Sequence, residues 1–258
     1  MKISIVTPSY NQAPYLRQTM ASILGQTGDF ELQWVVIDGG SSDGTVDLLR
    51  AAKDPRLTWV SEKDAGQSDA VNKGLARADG DVIGWLNSDD LYTPGALAAV
   101  GAAFAEHPGI AWLAGRCAII DEQNRPIRRS VTRYKNEQLK RYSYRRLLVE
   151  NPLSQPAVFW RRPFGEHVGK LDVSLHHAMD YDLRLRMARR MDPFVLPRTL
   201  ALFRIHPASK SGTQTAERFA EQYQVASRHF PDQGTRMRHW LNNQKIVWAY
   251  RALGVLGR

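Results

Sequence analysis

The chain is predicted to be an α/β protein: a doubly wound, mainly parallel sheet with helices on both faces and a C-terminal helical appendage. Three observations predict it. Over the first 120 residues short apolar runs alternate with amphipathic stretches, the links between them are short, and each apolar run ends in polar residues. Strand, helix, strand repeated in this way pairs parallel strands through right-handed crossovers and puts ligands beyond the carboxyl ends of the strands.

The strands are Ile3 to Thr7, Gln33 to Asp38, Leu57 to Ser61, Asp81 to Leu86 and Ile110 to Ile120. Between the first two, Tyr15 to Gln26 carries Leu16, Met20, Ile23 and Leu24 on one helical face. Val46 to Ala52, Asp69 to Ala78 and Ala96 to Glu106 read similarly, the last of them started by Thr93 as N-cap and Pro94 as first helical residue. Beyond Asp121 the rhythm changes. A turn to Pro126 leads to a basic helix at Asn136 to Glu150, a short strand Ala157 to Trp160, a helix Asp180 to Arg190 and a strand Thr199 to Ile205. Two more helices follow, Ala216 to His229 and one from Arg236 to the end. With no internal repeat and no low-complexity linker, residues 1–212 read as one domain and 213–258 as a helical extension.

A chain of 258 residues that is 43% hydrophobic can bury a full core. No apolar run approaches the roughly 20 residues that cross a bilayer, and the amino terminus enters a strand directly, which predicts a protein made and kept in the cytoplasm. The single cysteine, Cys117 beside Ala118, Ile119 and Ile120, forms no internal disulfide and reads as a small buried residue. Net charge is +9, unevenly spread. Residues 1–124 hold 9 Lys+Arg against 16 Asp+Glu, a balance of −7, and residues 125–258 hold 26 against 10, a balance of +16. Zinc-ligand spacing, an aromatic RNA-binding signature and a recognition-helix unit are all missing, so nucleic acid is not an expected partner. An anionic acceptor, an anionic membrane surface or ordinary solvated arginine faces account for the basic half.

The most informative stretch is Gly84-Trp85-Leu86-Asn87-Ser88-Asp89-Asp90, an apolar strand ending in two adjacent carboxylates. Hard oxygen ligands at a strand's carboxyl end suit Mg²⁺ or Mn²⁺ bridging to the phosphates of a nucleotide. With Thr93 supplying the helix cap, both aspartates are left without a structural task. Upstream, Thr7-Pro8-Ser9-Tyr10-Asn11 ends the first strand in a polar loop whose backbone can face a nucleobase. The second strand ends in Asp38-Gly39-Gly40-Ser41-Ser42-Asp43-Gly44-Thr45, where glycines let backbone approach a ligand and Asp38 can accept from a base or ribose. These glycines are not the G-x-G-x-x-G fingerprint, which argues against a nicotinamide enzyme. After the third strand, Glu62 to Gly74 is dense in hydrogen-bonding groups. A helix amino terminus beneath the strand ends attracts phosphate, and Asn72 and Lys73 lie about one turn in.

With these motifs in order, the chain resembles the inverting family 2 glycosyltransferases, which have the GT-A fold and use nucleotide-diphosphate sugars. The resemblance spans about 200 residues and implies a nucleotide-binding half, 1–120, and an acceptor half, 121–212. It implies that Thr7, Pro8, Ser9 and Tyr10, with Asp38, Gly39, Glu62, Gln67, Ser68 and Asn72, hold the nucleoside, usually uridine. Asn87, Ser88 and Asp89 extend the donor site, and Asp90, helped by Asp89, fills the metal position. Many relatives have an acidic pair at Asp38-Gly39 and Arg at Val71, so phosphate neutralisation passes to Lys73.

Gln155 to Trp160 looks like the strand that walls the acceptor site, and His176 to Asp182 opens a helix. A hydroxyl acceptor needs a carboxylate to take its proton. Asp180 matches the family's base, with Asp182 as the fallback and a helix N-cap as the competing role of Asp180. Relatives often have Glu-Asp where this chain has Met179-Asp180. Arg204 to Ser211 resembles the family's loop at the site, which implies that His206 completes the metal shell or touches the diphosphate and that Lys210 neutralises the departing phosphates. The last segment sets Trp240, Val247, Trp248, Tyr250, Leu253 and Leu256 among Arg236, Arg238, Lys245, Arg251 and Arg258. Such a helix can lie on an anionic membrane, on the domain itself or on a second copy. Without Gln-x-x-Arg-Trp and without membrane spans, one sugar per encounter is expected. A sugar nucleotidyltransferase, whose glycine- and arginine-containing loop is missing, and a non-catalytic carbohydrate-binding protein are the rival readings.

Overall fold

The structure is a computed structural model that describes residues 1–209 and 215–252. Its strands are β1 (Lys2–Ser9), β2 (Glu31–Asp38), β3 (Leu57–Ser61), β4 (Val82–Trp85), β5 (Leu91–Tyr92), β6 (Trp112–Ile120), β7 (Val158–Arg161) and β8 (Phe194–Arg204). They form one mixed sheet in the order β3-β2-β1-β4-β7-β6-β8-β5. The first four are parallel, β7 runs against both β4 and β6, and β8 is parallel to β6. From β1 the chain builds outward through β2 and β3, then returns to place β4 on the other side of β1. The crevice beyond β1 and β4 is therefore the topological switch point, where ligands bind in such sheets.

Side-chain alternation along β1 explains why both faces need helices: Ile3 and Ile5 enter one core and Val6 the other, all of them fully buried. The first core lies under α1 (Ala13–Leu24), α2 (Thr45–Ala51) and α4 (Ala96–Glu106), through Leu16, Ile23, Leu49, Leu97 and Val100. The second lies under α3 (Gln67–Leu75), α5 (Arg129–Lys140), α6 (Tyr144–Glu150), α7 (Arg162–Val168) and α8 (Met179–Ala188). Also in it are Val225 and Ala226 of α9 (Thr215–Ser227), which is followed by α10 (Gln233–Ala252). Cys117 is buried and unpaired, and burial pushes its thiol up to about 12.

Several elements differ from expectation. The basic stretch at 136–150 is two helices, α5 and α6, because the Ser143 hydroxyl caps a fresh start by accepting from Arg146 N at 3.2 Å. Thr93 is not an N-cap. Its hydroxyl donates to Thr199 O at 2.7 Å, and α4 starts after Gly95, held at φ 70°. The two-residue β5 and the short α7 carry too little pattern to be read from sequence.

Candidate active site

A cleft of about 740 Å³ opens beyond the carboxyl ends of β1 and β4. At one end it is lined by Pro8, Ser9, Tyr10, Gly39, Gly40 and Asp64. A Cβ at Gly39 would stand 2.7 Å from Asp64 Oδ2 and 3.3 Å from Tyr10 Cδ2, so only glycine lets this carboxylate and ring close over the backbone. Asp64 is the acid that faces the cleft here, and it was not singled out from the sequence; its signal was the Asp-Ala-Gly turn before α3, where its Oδ1 accepts from Gly66 N at 2.8 Å. Asp38 lies behind and is fully buried. Its Oδ2 accepts from Ser61 Oγ at 2.6 Å, Ser41 N at 2.9 Å and Gly40 N at 3.1 Å. Asp38 thus shapes the glycine loop that lines the site. Thr7 is buried too, its hydroxyl accepting from the Trp34 indole N–H at 2.9 Å.

Gly66, Gln67 and Ala70 bring the amino terminus of α3 to the cleft. Other residues of this segment face elsewhere. Lys73 bridges Glu62 at 3.0 Å and Asp69 at 3.2 Å away from the cleft lining. Asn72 uses both ends of its amide on Leu171, donating to its carbonyl and accepting from its N–H, each at 2.9 Å. Ser68 donates to Leu175 O at 3.2 Å. Asn72 and Ser68 therefore clip α3 to the chain that leads into α8.

The acidic turn divides its two carboxylates. Asp89 lines the cleft with Asn87 and Ser88, and its Oδ2 lies 3.0 Å from Nε2 of His206, whose side chain is 1% exposed. Asp90 points inward and is fully buried, with Oδ1 accepting from Arg204 N at 2.9 Å. Burial, and then the neighbouring Asp89 charge, push its pKa well above the usual carboxylate range. Asp90 thus has the structural task that the sequence did not reveal. Arg204 is the hub: Nε donates to Asp89 O at 2.7 Å, Nη1 to Asn124 Oδ1 at 2.7 Å and Nη2 to Gln18 Oε1 at 3.0 Å. The Thr19 hydroxyl holds the turn from α1, donating to Ser88 O at 2.8 Å and Asp90 O at 2.9 Å. Asn87 Oδ1 accepts from Trp85 Nε1 and Gln67 Nε2, both at 2.9 Å.

Asp180 enters the cleft from the first turn of α8, with Gln155, His176 and His177 around it. Its Oδ2 accepts from Arg184 Nη2 at 2.6 Å, one helical turn on, and its side chain is 25% exposed. It is not the cap of this helix. The turn ahead of it, which ends at the N-cap residue Ala178, is held by Glu221 of α9, its carboxylate accepting from His176 N at 2.8 Å and from His177 N and Ala178 N, both at 2.5 Å. Asp182 lies outside the lining, 7% exposed and paired with Arg186 Nε at 2.8 Å. Arg218, also on α9, lines the cleft. Nothing local in the sequence ties α9 to α8. Lys210 lies outside the described residues.

Among the described residues no set of three or more His, Cys, Asp and Glu side chains converges as a metal cage. Mg²⁺ and Mn²⁺ do not need one, since one or two protein ligands with phosphate and water oxygens suffice. In an octahedron with bonds of about 2.0–2.1 Å, adjacent ligand atoms stand about 3 Å apart. Asp89 Oδ2 and His206 Nε2, at 3.0 Å, fit that requirement.

Residues 4–167 match the family described as Glycosyl transferase family 2. An uncharacterised glycosyltransferase of Mycobacterium tuberculosis is 25% identical over 257 residues, 97% of this chain and 93% of that protein. A PGL/p-HBAD biosynthesis glycosyltransferase of Mycobacterium bovis is 31% identical over 188 residues, 71% of this chain and 68% of its own length. Among solved structures, S. aureus TarS 1-349 in complex with UDP-GlcNAc superposes with a TM-score of 0.71 at 17% identity, over 93% of this chain and 70% of that one. The mannosyltransferase PcManGT from Pyrobaculum calidifontis, in complex with GDP-Man and Mn²⁺, gives 0.65 at 20% identity, over 97% and 75%. The sheet order, the cleft at its switch point and these matches make the chain a glycosyltransferase of family 2 with the GT-A fold.

Proposed function

We propose that the protein transfers a sugar, with inversion, from a nucleoside diphosphate donor to a hydroxyl acceptor, in a reaction that requires Mn²⁺ or Mg²⁺. One observation carries this reading: Asp89 and Asp180, from opposite halves of the chain, line the same cleft. Tyr10, Gly39 and Asp64 would receive the nucleoside, with a lean to uridine from the family resemblance and from the UDP-GlcNAc bound by TarS. The amino terminus of α3 offers N–H groups and a positive dipole end to the diphosphate. Asp89 and His206 would hold a divalent cation, which would supply charge neutralisation for the departing diphosphate. Asp180 takes the acceptor's hydroxyl proton as that oxygen attacks the anomeric carbon from the face opposite the diphosphate. The new C–O bond forms as the bond to the diphosphate breaks, and the electron pair leaves with the nucleotide. Arg184 fixes one carboxylate oxygen of Asp180 and leaves the other for the acceptor. Each aspartate has an arginine partner one turn on, and it is the exclusion of Asp182 from the cleft lining and its tighter burial that favour Asp180 as the base. A place in surface polysaccharide or glycolipid assembly belongs to the same proposal, in keeping with the PGL/p-HBAD biosynthesis relatives.

Screening nucleotide sugars for metal-dependent hydrolysis identifies the donor. With that donor, Asp180→Asn is expected to lower transfer by about 10²–10⁴-fold while calorimetry shows unchanged binding of UDP with Mn²⁺. Full turnover by this variant would remove Asp180 from the mechanism.

A further inference from the structure

Helix α10 turns its polar side to the protein and its apolar side outward. Thr235, His239 and Asn243, four residues apart in turn, are buried. His239 Nδ1 lies 2.6 Å from Leu148 O, and Asn242 Nδ2 donates to Val149 O at 3.0 Å. These side chains occupy carbonyls in the last turn of α6, which lack partners within their own helix. Burial lowers the His239 pKa and so favours the neutral ring. The opposite stripe carries Met237, Trp240, Leu241 and Trp248, exposed by 56%, 48%, 52% and 74%. At 3.6 residues per turn these four share one face. A soluble helix ordinarily has the reverse arrangement, and exposed apolar side chains gathered on one helix face, here interrupted by Gln244, mark an interaction surface.

Charge decides what covers it. Residues 233–252 hold Arg236, Arg238, Lys245 and Arg251 and not one Asp or Glu. Arg238 and Lys245 are exposed beside the apolar stripe, within a half of the chain that carries 26 Lys+Arg against 10 Asp+Glu. A second copy meeting this face by two-fold symmetry would set the same cations against one another. Two tryptophans, a methionine and a leucine ringed by cations match instead a bilayer interface whose headgroups are anionic.

We propose that the outer face of α10 seats the protein on an anionic lipid surface, with Met237, Trp240, Leu241 and Trp248 entering the headgroup region and Arg238 and Lys245 meeting lipid phosphates. The inference does not depend on the donor or the base assigned above. Its test is flotation of the full chain with vesicles of phosphatidylcholine, alone or mixed with phosphatidylglycerol. The chain should float with the mixed vesicles and sink with the neutral ones. Trp240→Ala with Trp248→Ala, and separately Arg238→Glu with Lys245→Glu, should each reduce the bound fraction roughly tenfold or more, with unchanged melting temperature because all four side chains are exposed. Absence of flotation with mixed vesicles, flotation that the substitutions leave intact, or a dimer in light scattering that the tryptophan substitutions dissolve would each overturn the proposal.

Discussion

Asp89 and Asp90 are neighbours in sequence with opposite surroundings, and the difference is measurable. Asp89, 19% exposed, faces the cleft and His206, whereas Asp90 is fully buried against Arg204 N. Asp90→Ala leaves that N–H unsatisfied and is expected to cost about 1–3 kcal/mol of stability in chemical denaturation. Asp89→Asn, which keeps an acceptor beside the buried His206 ring, should cost less stability than Asp90→Ala and instead weaken Mn²⁺-dependent UDP binding in calorimetry. The reverse pattern would exchange the two roles. Lys135 offers a pH test. Burial, and then the Arg184 charge, bring its pKa down to about 8. Between pH 8 and 10.5 the unfolded chain holds this proton more than the folded one, so stability due to Lys135 rises with pH across that window. Below it the buried charge is a full penalty, offset in part by water because the side chain is only half-buried. Lys135→Met is expected to stabilise the protein by ~1–2 kcal/mol at pH 7, with the gain shrinking toward pH 10; a constant gain would locate the effect in packing.

At the scale of elements, α8 depends on a carboxylate from α9, the next helix among the described residues. Three consecutive N–H groups ahead of Asp180 donate to Glu221, and the helix dipole adds to these charge-assisted bonds. Glu221→Ala should cost ~1–2 kcal/mol and lower kcat by about tenfold or more through displacement of Asp180, with UDP affinity unchanged. A loss confined to stability would make this contact purely structural. Where an element carries a long periodic signal, as α1 and α4 do, its existence and face were legible in the sequence. Where contacts join distant positions, they were not: the Asn72 clip to Leu171 and the Glu221 hold on the turn before α8 leave no local trace. The same limit explains the site. Of the residues in the sequence motifs, Pro8, Ser9, Tyr10, Gly39, Gln67, Asn87, Ser88, Asp89 and Asp180 line one cleft. Which carboxylate in a loop faces inward depends on partners such as Ser61 and Arg204, from strands far along the chain, and so Asp38 and Asp90 could not be told from Asp64 and Asp89.

For the whole molecule, the question is how residues 213–258 relate to the domain before them. We propose that they extend the 1–212 domain as part of its folding unit. Val225 and Ala226 are fully buried in the second core, Glu221 holds the turn ahead of α8, and His239 and Asn242 cover the end of α6. A chain ending at 212 is expected to lose cooperative melting or to melt more than about 10 °C lower; an unchanged midpoint would mark the last helices as an independent appendage. No helix among the described residues is long and apolar enough to cross a membrane.

The bond from Arg204 N to Asp90 spans 114 positions of the chain. A ribosome therefore releases the acidic turn long before it makes the arginine that anchors it. Asp90 must wait, solvated, until β8 arrives, so the turn that lines the cleft takes its final form only once the second half of the sheet has joined the first.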